Sequence, residues 1–306
     1  MMKFPQHILV IVGGKRNEHI ALNRAIQLAQ FYDIKLHLLS CVYDPGTDLS
    51  PLISQEHRKT LKQEMMDNRL AYLEQLKKPV EAKGIQVTTQ VIWHRKIQKA
   101  VMRACSEVNP DLVIKRISDK APSLNPFTMP VDWQLLRKCP APLLLVKDLD
   151  WKIPSPVLAA VDAAAETAQE TSFNHQIISY AKLLSRLTDD PTHVVTTHIT
   201  PSLDNATTIP GFDLESLKNE VNDFNQQKLD ALVADHNVSN DCLHIIEGLA
   251  EDRIPQLAQQ IGAQIVVMGT VCRAGLTGAF MGNTAERVLT QLQCEVLALK
   301  PPKSDA

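Results

Sequence analysis

The residues best placed to do chemistry lie in one stretch, MGTVCRAGLTGAFMGNTAE, from Met268 to Glu286. It holds four of the chain's eleven glycines. An apolar run, AQIVV, precedes it, and a helical pattern, AERVLTQLQC, runs out of it. A glycine-bearing loop between a strand and a helix lets backbone N–H groups cradle phosphate, at a helix end that carries partial positive charge. Gly269 ends the strand and Gly282 opens the helix, so the N–H groups of Gly282, Asn283 and Thr284 can point at an anion, whose charge Arg273 can neutralise. Cys272 stands where such a loop wants another glycine. A side chain held left-handed there costs roughly 1–2 kcal/mol. The expectation is an anion site that is present but weak.

Other chemistries leave no comparable trace. The ten histidines show no HExxH or related metal spacing, and His193 and His198, five apart around VVTT, are expected on opposite faces of a strand. There is no GxSxG, no nucleophile–base–acid set and no GxxxxGK[ST] lysine loop. Cysteines at 41, 105, 139, 242, 272 and 294 form no CxxC pair, and several sit inside apolar patterns, which predicts buried thiols in a reducing cytoplasm. A net charge of −2 exerts no general draw on nucleic acid or anionic membrane. No apolar run approaches the ~20 residues of a membrane span.

The elements that position the loop occur twice. PDLVIK, Pro110 to Lys115, lies without a gap over AQIVVM, Ala263 to Met268; WQLLRKC lies over ERVLTQL, and LLLVK over VLALK. HILVIVG, His7 to Gly13, matches PVLAAVD, Pro156 to Asp162. The expected organisation is a domain over 1–148, a proline-bearing linker over 149–155 and a second copy over 156–306. In each copy, apolar strands alternate with amphipathic stretches: HILVIV, ALNRAIQLAQFY, IKLHLLSCV, a long helix around 57–83 ending near Gly84, QVTTQVI, KIQKAVMRACSEV, DLVIK, WQLLRKC and PLLLV in the first. The second follows the same order, with HQIISYAKLLSRL as its first helix. The alternation predicts an α/β architecture of two tandem doubly wound domains, each with a parallel sheet covered on both faces and a ligand cleft beyond the carboxyl ends of the strands.

These residues resemble the universal stress protein family, in its tandem form, over nearly the whole chain. Its nucleotide-binding members carry G-x2-G-x9-G-[ST] followed by Ala-Glu. Gly269, Cys272, Gly282 and Asn283 occupy those positions, with Ala285-Glu286 after them. The resemblance implies a five-stranded parallel sheet of order 3-2-1-4-5 in each copy, and ATP or another nucleotide as the small-molecule ligand. It places Gly269, Gly282, Asn283 and Thr284 at the phosphates, Asp162 near the nucleoside and Ile199 against the adenine. It further implies a role in surviving stress, associated in this branch with DNA-damaging agents. Because the sequence offers no evident base for water or metal-ordering carboxylate, the expected role is binding with catalysis absent or slow. Because single-domain relatives dimerise, the two copies are expected to form an intramolecular pseudo-dimer; a homodimer of the whole chain is a second arrangement.

The first copy lacks the motif. Arg116, Asp119, Met129 and Pro130 stand at the positions of Gly269, Cys272, Gly282 and Asn283, and Gly13 at that of Asp162. Pro130 has no N–H to donate. Phe127, Met129 and Pro130 make this mouth apolar, which suggests either a packed pseudo-domain or a seat for an amphipathic, acyl- or nucleotide-sugar-like metabolite. His94, Arg95, Lys96, Lys115 and Arg116 form a basic rim or an anion patch, with Asp111 and Asp119 nearby in sequence.

Overall fold

HILVI and VLAA are short apolar runs of the kind a parallel sheet buries on both faces, and each becomes the central strand of its half. The computed structural model describes residues 4–13, 19–50, 53–117, 130–200, 214–270 and 282–301. The first of two units ends at Asp148 and the second begins at Leu149. In the first the order is β1 (His7–Ile11), α1 (Ile20–Ala29), β2 (Lys35–Val42), α2 (Pro45–Leu49), α3 (Gln55–Glu81), β3 (Gln86–Trp93), α4 (Ile97–Val108), β4 (Leu112–Arg116), α5 (Val131–Lys138) and β5 (Leu143–Val146). In the second it is β6 (Val157–Ala160), α6 (Ala168–Thr188), β7 (Thr192–His198), α7 (Leu214–Val233), two short 3-10 turns, β8 (Leu243–Glu247), α8 (Ala250–Gln260), β9 (Ile265–Gly269), α9 (Asn283–Gln291) and β10 (Glu295–Leu299).

Strand order is β3-β2-β1-β4-β5 in the first unit and β8-β7-β6-β9-β10 in the second. Every described pairing within a unit is parallel. β1 lies between β2 and β4, and β6 between β7 and β9, so each unit has its switch point at the carboxyl end of its first strand. All four residues of β6 and four of five in β1 are buried, as strands covered on both faces require. Each such Val, Leu or Ile contributes about 1.5–3 kcal/mol relative to exposure.

Two helices begin earlier than their apolar periodicity suggests. α6 starts at Ala168 rather than near His175, because Thr167 and Glu170 form a capping box: Thr167 Oγ1 accepts from Glu170 N at 3.2 Å, and Glu170 Oε2 accepts from Thr167 N at 3.2 Å. Such a cap is worth about 0.5–2 kcal/mol. α5 starts at Val131, which brings Asp132 into its first turn. α3 ends at Glu81, and Gly84 follows at φ +81, a conformation glycine adopts without steric cost, donating its N–H to Glu81 O. The segment expected as a linker is tied to the second unit: Trp151 Nε1 donates to the buried Glu295 at 3.0 Å, and Lys152 N to Gln264 Oε1 at 3.1 Å. Among the described residues no helix is long and apolar enough to cross a membrane. Cys105, Cys139, Cys242 and Cys294 are buried and Cys41 partly so; a hydrogen bond with Cys139 and burial push the Cys105 thiol far up, away from thiolate.

Imidazoles, buried in the first unit and half-buried in the second, sit at related places. His37 is the register partner of Leu9, and His193 that of Leu158, the equivalent strand position. In the first unit His37 meets Thr88 Oγ1 at 2.8 Å and Gln90 Oε1 at 3.1 Å. In the second, His193 Nδ1 meets His244 Nε2 at 2.9 Å, and His244 occupies the position of Gln90. A second pair, His175 and His236, also lies at 2.8 Å. Burial lowers the pKa of His193, His244 and His236; His193 lowers His244 further, as His175 and Lys182 lower His236, against opposing effects of Asp190 on His193 and Asp235 on His236. An unfolded histidine titrates near 6.5. Between about pH 6.5 and the lower folded values, the unfolded chain binds more protons, so stability is complete above that window and falls as pH falls through it. The second unit's Tm, followed by calorimetry from pH 8 to pH 5, is therefore expected to drop on the acid side, and His244→Gln, which copies the first unit, should flatten that drop. An equally steep drop in His244→Gln would show that the acid sensitivity lies elsewhere.

Candidate functional site

The turn after β6 is pinned by its neighbours. Val161 N donates to Val195 O at 3.0 Å, and Ala163 N to Thr196 Oγ1 at 3.2 Å. Asn174, in α6 and 4% exposed, clamps Asp162 through both halves of its amide: Oδ1 accepts from Asp162 N at 3.2 Å, and Nδ2 donates to Asp162 O at 2.7 Å. The backbone of Asp162 is thereby held while the residue itself is exposed at the switch point. A carboxylate at such a place can accept a sugar hydroxyl or a base N–H.

Across the switch point, β9 ends at Gly269 and hands over to Thr270, 1% exposed. Thr270 N and Oγ1 both donate to Leu299 O, at 3.0 and 3.1 Å, and Thr270 O accepts from Gly282 N at 3.0 Å. This clasp brings the two ends of the intervening loop together. It also engages the Gly282 N–H, so the donors at the start of α9 that a helix leaves without intrahelical partners are those of Asn283, Thr284 and Ala285. Gly282 has φ −64 and ψ 141, a conformation open to any residue.

Gly269 is required for a reason the loop pattern does not contain. A Cβ on it would lie 2.7 Å from Phe173 Cε1 and 3.2 Å from Phe173 Cζ, with Ile177 Cδ1 at 3.8 Å. The ring of Phe173, on α6, lies against the backbone where β9 ends. Phe173 and Asn174 are thus supporting residues that the glycine pattern alone does not identify; the signal for them was the T-x-x-E capping box that starts α6 early.

Ile199 follows the end of β7 and is 68% exposed. Its equivalent in the first unit is Tyr43, one residue past β2. There the mouth holds an aromatic pair, Tyr43 and Trp93, with ring centroids 5.8 Å apart and the Lys62 ammonium 5.1 Å from the Trp93 centroid. In the second unit the residue matching Trp93 is Glu247, paired with Lys218 at 3.4 Å and accepting from Thr200. The Thr200 and Lys218 contacts hold its carboxyl below the usual range. Cys272 and Arg273 lie outside the described residues, as do Asp119, Phe127 and Met129. Of the basic residues near the first unit's strand ends, His94 Nδ1 accepts from Lys96 N at 2.8 Å, and Lys115 is ion-paired to Asp132 at 2.5 Å. Asp111 is not part of that rim: it sits at the opposite end of β4, accepting from the N–H groups of Gln6 and His7 at 3.0 Å each. Among the described residues no group of three or more His, Cys, Asp or Glu is arranged to hold a metal.

Two doubly wound units, each a parallel sheet with its switch point at the end of its first strand, define a tandem α/β protein. The chain belongs to the universal stress protein family, whose profile matches residues 5–147 and again 155–300. It is 32% identical over 313 residues to the Universal stress protein E homolog of Haemophilus influenzae, covering 99% of this chain and 100% of that one. Universal stress protein E of Escherichia coli K12 is 29% identical over 301 residues, covering 98% and 95%. A functionally unknown protein from Pseudomonas aeruginosa PAO1 has a solved structure similar to this one, with a TM-score of 0.74 at 30% identity over 97% of this chain and 93% of that chain.

Proposed function

We propose that the second unit binds an adenine nucleotide such as ATP, or a related anion, and that the protein acts as a non-catalytic cytoplasmic stress-response factor, with the family's association with DNA-damaging stress. One observation carries the reading: the Thr270–Gly282 clasp sets the first turn of α9 across the switch point from the clamped, exposed Asp162. Asn283 and Thr284 then serve the phosphates through their N–H groups, Asp162 the sugar or base, and Ile199 the base face. Arg273 adds charge from within the loop. Binding rather than turnover fits this set, because its one carboxylate, Asp162, is given to the sugar or base and no second group is left to activate water or order a metal.

The test is calorimetric titration with a non-hydrolysable ATP analogue. One site per chain is expected, weak in the wild type because of the Cβ of Cys272. Cys272→Gly should tighten it by about 5- to 30-fold, the equivalent of about 1–2 kcal/mol of backbone cost. Tight wild-type binding that the substitution leaves unchanged would mean the loop does not need that glycine. The Tyr43–Trp93 pair favours a second reading, an amphipathic ligand held in the mouth of the first unit. Native mass spectrometry separates the two: a retained mass near that of ATP supports the first, and a lipid-like mass the second.

A further inference from the structure

The strand–loop–helix of the second unit's cleft recurs in the first as β4 and α5, where it contains a charge pair. Lys115 Nζ on β4 lies 2.5 Å from Asp132 Oδ1 in the first turn of α5, the two side chains being 13% and 10% exposed. Lys115 also donates to Arg116 O at 2.7 Å. The matching residues in the second unit are Met268 and Ala285, both apolar and both buried. The same fold therefore packs this position without any charge. Burying a lysine and an aspartate together carries a desolvation cost that packing alone gives no reason to bear. The first turn of a helix is also where a negative charge is most stabilised.

We propose that Asp132 is a built-in counter-ion: its carboxylate, in the first turn of α5, neutralises a half-buried Lys115 ammonium that a small free anion would otherwise have to satisfy. The inference concerns the first unit only, so it stands whether or not the second binds a nucleotide.

The test is anion rescue in the full-length chain. Asp132→Ala strands the Lys115 ammonium, and the first unit's Tm should fall by roughly 6–20 °C. Sodium formate or inorganic phosphate, compared with chloride at equal ionic strength, should raise the Tm of Asp132→Ala progressively with concentration, as a bound ligand does. The double variant Lys115→Met with Asp132→Ala, which copies the second unit, should fold near wild-type stability and gain nothing from either anion. If the single variant folds only when formate or phosphate is present, that also supports the proposal. It is overturned if Asp132→Ala is as stable as wild type, if neither anion stabilises it beyond chloride, or if the anions raise all three proteins equally.

Discussion

Asp162→Ala is expected to weaken binding of the ATP analogue by about 10- to 150-fold while leaving the free energy of unfolding within about 0.5 kcal/mol of wild type. The affinity loss is that of one hydrogen bond to a charged group, about 1.5–3 kcal/mol. The small stability change follows from exposure: alanine keeps the residue's backbone bonds to Asn174 and Ala165. Asn174→Ala provides the contrasting case. It removes two hydrogen bonds to the Asp162 backbone at a buried place and leaves the one from Ala165 N, so it should cost about 1–3 kcal/mol of stability as well as affinity. Titration and thermal unfolding of the two variants separate a ligand contact from its support. An unaltered titration for Asp162→Ala would remove this carboxylate from the site.

Gly269→Ala is expected to destabilise the second unit by about 1–3 kcal/mol, a fall of roughly 2–12 °C in Tm. A methyl 2.7 Å from Phe173 Cε1 is well inside the ~3.5–4.0 Å at which carbon atoms pack, so either the ring or the end of β9 has to move. The ring belongs to a residue that is 8% exposed, on a helix fixed by its capping box, and neither moves freely. Adding Phe173→Leu to Gly269→Ala should recover part of the loss, since two residues in contact couple by about 0.5–3 kcal/mol. If Gly269→Ala instead kept its Tm but lost nucleotide binding, the glycine would be serving the ligand's approach and not Phe173.

The amino-acid sequence by itself determined the two-copy architecture and the parallel strands. These follow from local rules: a run such as LLLV or IVV reports burial on both faces through its own residues, and a gapless match between Pro110–Lys115 and Ala263–Met268 reports a repeat without reference to any contact. It also drew attention to Asp162, Gly269 and Gly282, through the order of residue types along the chain. Only the tertiary structure decided what supports them. Asn174 reaches Asp162, Phe173 reaches Gly269, and Asp132 reaches Lys115 across separate elements. In the sequence, Phe173 and Asn174 fell before the expected start of one helix and Asp132 before that of another, because hydrophobic periodicity marks where a helix is buried and not where its cap begins. The use of the Gly282 N–H by Thr270 O is likewise invisible to spacing. A residue's type limits the bonds it can make, but which of them it does make depends on the register of strands and the seating of helices, set by packing over the whole unit.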